Sequence, residues 1–145
     1  MRHRLIGIAL LLTAASLSAQ ANKTYKARLA PVPIDVSMQA AVAGGGSVTA
    51  TRTGNKLTLT GTFDGLRSPA TIAQLHKSPV TGVRGPAVAE LTVAKATSGS
   101  ITASIDLTPA LLDDLDKGRL YVQVHSEGAK DGNLWGWLLA QENKR

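Results

Sequence analysis

The chain has 145 residues, no cysteine and a formal net charge of +6 at neutral pH. This length predicts one domain whose core is large enough to fold without disulfides. The lack of cysteine excludes thiol catalysis, cysteine-ligated zinc sites and iron–sulfur clusters. The basic residues are scattered singly and only 3% of the residues are aromatic. We therefore expect no nucleic-acid partner, because such surfaces combine basic clusters with aromatic stacking platforms.

Residues 1–21 have the pattern of a secretory signal peptide. A positive start at 2–4 precedes an unbroken apolar run, and Ala19-Gln20-Ala21 places small residues at the −3 and −1 positions of a cleavage site. The apolar run is far shorter than the ~20 residues that a membrane-spanning helix requires. We expect cleavage before Asn22, a secreted or periplasmic location, and a mature domain, 22–145, with no integral membrane segment. Loss of the two signal arginines lowers the net charge from +6 to +4.

The mature chain begins with a series of short strand patterns. Apolar and charged residues alternate in 22–30, and the following Pro31-Val32-Pro33 suits a crossing between sheets, because each proline fixes φ and removes a donor. Leu57, Leu59 and Phe63 share one face of a later strand, which we assign to the core, while threonines occupy the other face. The strands predicted after the first are 47–53, 56–64, 70–76, 87–94 and 100–107.

One helix is predicted, with recognisable signals at both ends. Thr108 suits the N-cap, Pro109 the first helical position and Gly118 the position after the last turn. Its apolar face consists of Leu111, Leu112 and Leu115. Three aspartates lie on the same helix: Asp113, Asp114 and Asp116. Their spacing matches no calcium-binding loop of the EF-hand type, so we assign them to a solvated helix face.

The stretch from Gly118 to Leu139 predicts the hairpin that forms the C-terminal wall of the core. In its first strand Leu120, Val122 and Val124 alternate with Tyr121, Gln123 and His125, the period-two pattern of a half-buried strand. The second strand is expected at 134–139. Between them, 126–133 is expected to be an exposed loop around Asp131-Gly132, because Asp-Gly accepts the positive φ values of hairpin connections.

Trp135 and Trp137 are two residues apart and therefore lie on the same side of the last strand. One interpretation places them in the core, which turns Leu134 and Leu138 outward; the scarcity of other aromatic residues favours it. The other interpretation exposes them as a platform for a protein partner or a carbohydrate. Trp135 and Trp137 are thus the candidate binding residues of the chain.

The strand patterns and turn signals predict an all-β fold with one short helix. Seven or eight short strands separated by turns are typical of an antiparallel β-sandwich or a Greek-key barrel, of immunoglobulin-like or superoxide-dismutase-like build. Strands do not alternate with long helices, so a parallel α/β fold is excluded.

Several of these segments resemble the chordin-type domain, CHRD. The resemblance rests on the strand that ends at His76, the glycine loop 82–86, the AVAEL strand 87–91 and, above all, the segment GRLYVQVHS at 118–126 with the glycines after it. It covers roughly 25–139, nearly the whole mature chain, and its N-terminal third matches only in pattern.

The resemblance implies an extracytoplasmic β-sandwich or barrel, immunoglobulin-like in its general build. In animals such domains belong to a secreted antagonist of growth factors, whereas bacterial versions stand alone, and we expect this chain to be of that stand-alone form. The family often has two histidines that flank one apolar residue before the glycine loop. Here the first of these positions is Gln74, and only His76 remains.

His76 and His125 are the candidate metal ligands. Both fall at or near strand ends that a β-sandwich can bring together, and imidazole is a usual ligand of zinc and copper. Two histidines fall short of the usual three or four ligands, so Asp131, Glu127 or Gln74 would have to complete the shell. The alternative, which the ligand count favours, is that both imidazoles are satisfied by hydrogen bonds. We therefore predict no bound metal and no other cofactor.

The sequence contains no pattern that predicts catalysis, since no G-x-S-x-G nucleophile elbow occurs and no catalytic triad can be assigned. We expect an exported, non-catalytic binding or structural module of chordin-domain type with an unassigned ligand. Its partner is expected to be an extracytoplasmic protein or an envelope component. The alternative function is a metal-binding or redox-related β-sandwich protein that uses His76 and His125.

Overall fold

A computed structural model describes residues 22–142 as an all-β domain with one short helix. The predicted signal peptide, 1–21, lies outside the described residues, as do 143–145. The strands are β1 (Lys23–Pro31), β2 (Gly45–Thr53), β3 (Lys56–Asp64), β4 (Ala70–Lys77), β5 (Ala87–Val93), β6 (Gly99–Asp106), β7 (Leu120–Ser126), β8 (Ala129–Trp137) and the two-residue β9 (Leu139–Ala140). Helix α1 (Pro109–Asp116) connects β6 to β7, and a 3₁₀ turn covers Val36–Met38.

The strands close into an eight-stranded antiparallel barrel. Their order around the barrel is β1-β2-β3-β6-β5-β4-β7-β8, and β8 returns to β1. β3 and β4 are consecutive in the chain but are separated in the barrel by β5 and β6, which makes the path a Greek key. The structure thus confirms the all-β prediction and, within it, the barrel alternative.

Strand β1 closes the barrel by pairing on both of its edges. It pairs with β2 from Lys23 to Leu29, and it reaches β8 only at Ala30 and Pro31. The short β9 lies against the first half of the same edge. The chain therefore changes partner at Ala30, one residue before the predicted crossing segment Pro31-Val32-Pro33.

The core is filled by the residues that the strand alternation predicted. Leu57 and Leu59 of β3 are completely buried, and Phe63 is nearly so. In β7 the completely buried inward residues are Leu120, Val122 and Val124. Full burial of one such side chain stabilises a fold by about 1.5–3 kcal/mol, so this apolar core accounts for a domain without disulfides. No helix in the described part of the chain is long and apolar enough to cross a membrane.

Helix α1 begins and ends at the predicted signals, but one of its aspartates is not solvated. Thr108 Oγ1 accepts a hydrogen bond from Leu111 N, and Gly118 adopts a φ of +69° directly after the helix. Asp114 is only 5% exposed, so the prediction of a solvated aspartate face is wrong at this position. Sequence spacing does not reveal that the helix packs its second turn on the barrel.

Asp114 and Asp116 attach α1 to the barrel through basic side chains. The Asp114 carboxylate lies 3.1 Å from Lys77 Nζ and 3.7 Å from Arg119 Nη1. Asp116 is bound by three side chains from β1 and β2. We call the following residues the α1 ion cluster: Asp114, Asp116, Lys23, Tyr25, Arg52, Lys77 and Arg119.

Asp116 is the most heavily hydrogen-bonded member of this cluster. Its carboxylate accepts hydrogen bonds from Lys23 Nζ at 2.8 Å, from the Tyr25 hydroxyl and from Arg52 Nη1 at 3.2 Å. Burial alone would raise the pKa of Asp116, but the hydrogen bonds from Lys23 and Tyr25 lower that pKa on balance. Asp116 is therefore held in its charged form.

β7 and β8 form the predicted hairpin, but its turn is not the Asp-Gly pair. Ser126 pairs with Ala129, so the connection is the two-residue turn Glu127-Gly128. β8 therefore begins before Asp131-Gly132, and the prediction of a long exposed loop at 126–133 is wrong. Neither turn residue has a positive φ, so the turn does not use the conformation that Asp-Gly favours; it is held by hydrogen bonds from Glu127 N to Pro69 O and from Gly128 N to Ser68 Oγ.

β8 contains a bulge immediately after this turn. The pair that follows Ser126–Ala129 is Val124–Leu134, so a single residue of β7 faces the four residues 130–133. Extra residues of this kind re-aim backbone and side chains at the edge of functional sites. Here the bulge turns two backbone carbonyls towards the outer surface of β7.

Candidate functional site

The outward face of β4, β7 and β8 carries polar and aromatic side chains under a covering loop. Cross-strand pairing places His76 beside Tyr121, and Tyr121 beside Trp137. In the next row Gln123 lies beside Trp135. We call the following six residues the histidine–aromatic cluster: His76, Tyr121, Gln123, His125, Trp135 and Trp137.

The tryptophans lie on this outward face, so the interpretation that placed them in the core is wrong. Leu134 and Leu138 are completely buried and point into the barrel, whereas Trp135 and Trp137 are half-buried on the opposite side. The strand alternation correctly put the two tryptophans together. It did not fix the face, because the face depends on a register that the bulge in β8 sets.

The rings of the cluster pack on one another around Tyr121. The Tyr121 ring lies 4.9 Å from the His76 ring, 4.7 Å from the Trp137 ring and, edge to face, 6.0 Å from the Trp135 ring. The two tryptophan rings are 4.7 Å apart. Aromatic pairs favour such offset and edge-to-face arrangements. Tyr121 is completely buried and forms the floor of the cluster, and the half-buried tryptophans form its rim.

The loop 78–86, which we call the strap, closes over the His76 side of the cluster. Gly85 O accepts hydrogen bonds from His76 Nδ1 at 2.8 Å and from the Tyr121 hydroxyl at 3.1 Å, and Gly85 N donates to the same hydroxyl. A Cβ atom on Gly85 would lie 1.8 Å from Lys77 O. Only glycine permits this approach, so the position of the strap follows from the absence of a side chain.

The strap also contacts both tryptophans. Trp137 Nε1 donates a hydrogen bond to Ser78 Oγ at 3.1 Å. The Arg84 guanidinium lies 5.3 Å from the centroid of the Trp135 ring, within the range of a cation–π contact, and its Nη1 donates to Asp131 O. The rim of the cluster is therefore held by two side chains of the strap, Ser78 and Arg84.

Both imidazoles direct one nitrogen to a backbone carbonyl. His76 Nδ1 lies 2.8 Å from Gly85 O, and His125 Nδ1 lies 2.7 Å from Lys130 O in the bulge. Because a carbonyl only accepts, each Nδ1 carries the proton, and each Nε2 of the neutral ring presents a lone pair. The ring centroids are 6.5 Å apart and the ring planes differ by 26°. The fold thus brings the two predicted histidines together in the same tautomer.

Gln123 is a third polar group at the same place, and it is only 3% exposed. Its Nε2 lies 3.1 Å from His125 Nε2 and 3.3 Å from Asp131 O. Its Oε1 has no hydrogen-bond partner, and neither has His76 Nε2; they are the two unpartnered buried side-chain atoms among residues 22–142. Such atoms are rare in folded proteins and call for an explanation, for example a bound ion, water or ligand.

His76 is held in its neutral form. Burial lowers the pKa of His76 below its ordinary value of 6.5; the hydrogen bond to Gly85 O opposes this shift, and electrostatic interactions with the neighbouring His125 and Arg84 add to it. At neutral pH the imidazole therefore keeps the Nε2 lone pair free of a proton.

The side chains that the sequence offered as further ligands do not complete a metal shell. Glu127 is exposed in the turn, Asp131 contributes its backbone carbonyl, and Gln74 is half-buried opposite Gln123. Within the described residues, no group of three or more histidine, aspartate or glutamate side chains could hold a metal ion. The sequence analysis missed Gln123, although the β7 alternation that places it on the face of His125 was a signal for it.

The fold and the cluster together define a small all-β barrel domain with a shielded polar patch beside an aromatic rim. A family model for the CHRD domain matches residues 17–138, and the chain therefore belongs to the CHRD domain family. This match confirms the resemblance that the sequence carries. The curated proteins and the solved structures contain no significant match to the chain.

Proposed function

We propose that the protein is an exported, non-catalytic binding module whose ligand site is the histidine–aromatic cluster. The observation that carries this proposal is the pair of buried acceptors without partners, His76 Nε2 and Gln123 Oε1. Each such atom lowers the stability of the fold, and natural proteins keep unfavourable groups of this kind mainly where function needs them. Membership of the CHRD domain family supports a non-enzymatic role.

The chemistry of the cluster restricts what it can bind. Its free atoms are acceptors, so they favour a ligand that brings hydrogen-bond donors or positive charge. Trp135 and Trp137 add half-buried ring faces next to those atoms, and such faces attract apolar or cationic groups. The site therefore suits a small cation or a donor-rich ligand with an apolar side.

Ligand-dependent thermal unfolding tests this proposal, because a ligand that binds only the folded state raises the Tm. The probes are Cu⁺, Zn²⁺, tetramethylammonium and the neutral disaccharide maltose, each added to the mature domain. We expect at least one probe to raise the Tm in a dose-dependent way, and Trp135→Ala to reduce that rise.

Thr60→Ala is the matched control, because Thr60 is exposed on the outward face of β3, in a part of the barrel away from the cluster. It should respond to the effective probe as the wild type does. The proposal is wrong if every probe leaves the Tm unchanged, or if the two variants respond alike.

Export is tested separately, by the mass of the mature protein. The signal pattern in 1–21 supports export. Protein recovered from the extracytoplasmic fraction should begin at Asn22. A protein that keeps Met1 and stays with the membrane would contradict the export part of the proposal and leave the ligand site untouched.

A second candidate function is metal binding at His76 and His125, which the sequence analysis kept as its alternative. The specific observation in its favour is that the two imidazole rings lie 6.5 Å apart on the same face of the barrel, each with Nδ1 bonded to a carbonyl and Nε2 left as the acceptor nitrogen.

A further inference from the structure

The histidine–aromatic cluster offers three acceptor atoms, and its one amide donor, Gln123 Nε2, reaches only one of them. His76 Nδ1 and His125 Nδ1 each donate to a carbonyl, so Nε2 is the acceptor nitrogen of each neutral ring. Gln123 Oε1 is a third acceptor. His76 is 8% exposed and Gln123 is 3% exposed, and their free atoms are fully buried. A site made of acceptors requires an occupant that is positively charged or donates hydrogen bonds.

The distances suit one metal ion. Gln123 Nε2 lies 3.1 Å from His125 Nε2 and donates to it and to Asp131 O. Metal binding would replace these hydrogen bonds, and rotation of the amide would bring Oε1 to the position that Nε2 now occupies. Two ligands at about 2 Å from the same ion are separated by about 3.3 Å. The hydrogen-bonded Nδ1–H groups add a second argument, because metal-bound imidazoles usually fix their other nitrogen in this way.

The separation of the rings favours a nearly linear pair of nitrogen ligands. The centroids are 6.5 Å apart. With metal–nitrogen bonds of about 2 Å, two imidazoles on opposite sides of one ion have ring centroids about 6 Å apart. A tetrahedral N–metal–N angle would reduce this separation to about 5 Å. A tetrahedral zinc site therefore needs a larger movement of the rings than a linear site does.

The charge of the surroundings favours a monovalent ion. The cluster contains no carboxylate, and Arg84 lies over Trp135 at its rim. Burial of an uncompensated charge is unfavourable. The Born desolvation free energy rises with the square of the charge, so it is about four times larger for a divalent ion than for a monovalent one. Among the first-row metals that imidazole binds well, copper has a stable monovalent form.

We propose that the cluster binds one Cu⁺ ion through His76 Nε2 and His125 Nε2, with Gln123 Oε1 as a third donor. This inference rests on the proposed function, since it names the ligand of the same site. Tyr121 packs on the His76 ring, and the two tryptophans pack on Tyr121, so these rings keep water from the His76 side of the ion.

The test is an anaerobic titration of the mature chain with Cu⁺ in competition with the chelator bicinchoninate. We expect one Cu⁺ per chain, quenching of tryptophan fluorescence, and a joint shift of the Hε1 resonances of His76 and His125. His76→Phe and His125→Phe should each lower the Cu⁺ affinity about 100-fold or more, and Gln123→Leu about tenfold, in line with the effects of ligand and near-ligand changes.

Gln74→Leu is the matched control for Gln123→Leu, because Gln74 faces Gln123 across β4 and β7 on the same surface. It should leave the Cu⁺ affinity unchanged. Circular dichroism and the Tm of each metal-free variant establish that it is folded, so that a lost affinity is not lost structure.

Four results would overturn the assignment of a Cu⁺ site. The first two are failure of the protein to take Cu⁺ from the chelator and binding at a stoichiometry other than one per chain. The other two are a loss of Cu⁺ affinity in Gln74→Leu as large as that in Gln123→Leu, and tighter binding of Zn²⁺ than of Cu⁺ by the protein. If Cu⁺ fails but maltose or tetramethylammonium raises the Tm in a Trp135-dependent way, the copper inference is wrong and the binding-module proposal stands. If no probe binds, both are wrong.

Discussion

The α1 ion cluster and the histidine–aromatic cluster are polar groups on the same barrel that differ in how completely they are paired. In the α1 ion cluster, Asp116 accepts hydrogen bonds from three side chains, and Asp114 lies near two cations. In the histidine–aromatic cluster, His76 Nε2 and Gln123 Oε1 have no partner. The first cluster thus attaches a helix to the barrel, whereas the second holds acceptors ready at some cost in stability.

The two clusters begin at consecutive residues. His76 and Lys77 end β4, and their side chains point to different places because successive strand residues alternate. His76 packs on Tyr121 under the strap, whereas Lys77 reaches Asp114 of α1. The end of β4 therefore contributes one residue to the attachment of α1 and the next to the candidate ligand site. Because the first cluster is paired and the second is not, substitutions in the two clusters should change the free energy of unfolding in opposite directions.

The largest effect is expected for Asp114→Asn in the α1 ion cluster. The change removes the charge that holds Lys77 and Arg119, and it should lower the free energy of unfolding by about 1–3 kcal/mol. The lower part of this range applies because the side chains of both cations are partly exposed, at 44% and 38%. Urea unfolding followed by circular dichroism measures the change.

Asp113→Asn is the control for this prediction. Asp113 forms only an exposed pair with Lys117, one turn along the helix, and such pairs contribute about 0.5 kcal/mol or less. An equal loss in both variants would show that Asp114 has no special role in attaching α1.

A change of opposite sign is expected for Gln123→Leu. Leucine removes the unpartnered Oε1. Of the two acceptors that lose Gln123 Nε2, Asp131 O keeps its hydrogen bond from Arg84, and the ring of His125 is half-buried, so that water can replace the lost donor. The free energy of unfolding should rise by about 1 kcal/mol, because a buried acceptor without a partner is no longer present. The same urea experiment applies, with Gln74→Leu as a nearly neutral control. A clear loss of stability would mean that Gln123 is a structural residue, and the contrast between the clusters would disappear.

The smallest effect is a pH dependence that originates at His76. Because burial lowers the pKa of His76 in the folded state, the unfolded chain binds more protons below its ordinary value of about 6.5. The contribution of His76 to the free energy of unfolding is therefore fully present above pH 6.5. It is lost as the pH falls from 6.5 towards the lower pKa that His76 has in the folded state. The Tm of the metal-free domain, measured from pH 7.5 to 5, should decline in this window.

His76→Phe should flatten the decline between pH 6.5 and 5. Asp116 does not interfere, because its pKa is lowered from 3.8 and its contribution is lost only at more acidic pH. If the variant shows the same decline as the wild type, another group is responsible and the His76 assignment is wrong.

Strand patterns and capping signals were sufficient for most of the barrel. The bounds of 56–64 and the α1 start at Thr108 agree with the structure, since period-two alternation and N-cap chemistry act locally. The turn of the last hairpin was misplaced because Glu127-Gly128 and Asp131-Gly132 are both acceptable turns. Which of them forms depends on pairing across β7 and β8, which the local sequence does not encode.

The candidate site was predicted only in part. His76 and His125 were singled out and do lie together. Gln123 was overlooked, although it is only two residues from His125, because the alternation of a half-buried strand puts it on the face that is expected to be exposed to solvent. Gln74, which was considered, faces Gln123 across the strands. Burial of an amide without a partner is a property of the packed fold, and no sequence pattern displays it.

The bulge at 130–133 makes the site tolerant of substitution at its first two positions and sensitive to deletion. It supplies the carbonyls of Lys130 and Asp131 to His125 Nδ1 and Gln123 Nε2, and a carbonyl is present whatever the side chain is. Residue type can therefore vary at 130 and 131. It cannot vary freely at Gly132, which has a φ of +126° and no room for a Cβ, or at the completely buried Asn133. A family member with a deletion of even one of these four positions would keep the barrel but lose the carbonyl that holds the proton of His125 on Nδ1. Segment length, more than residue identity, should mark which CHRD domains share this site.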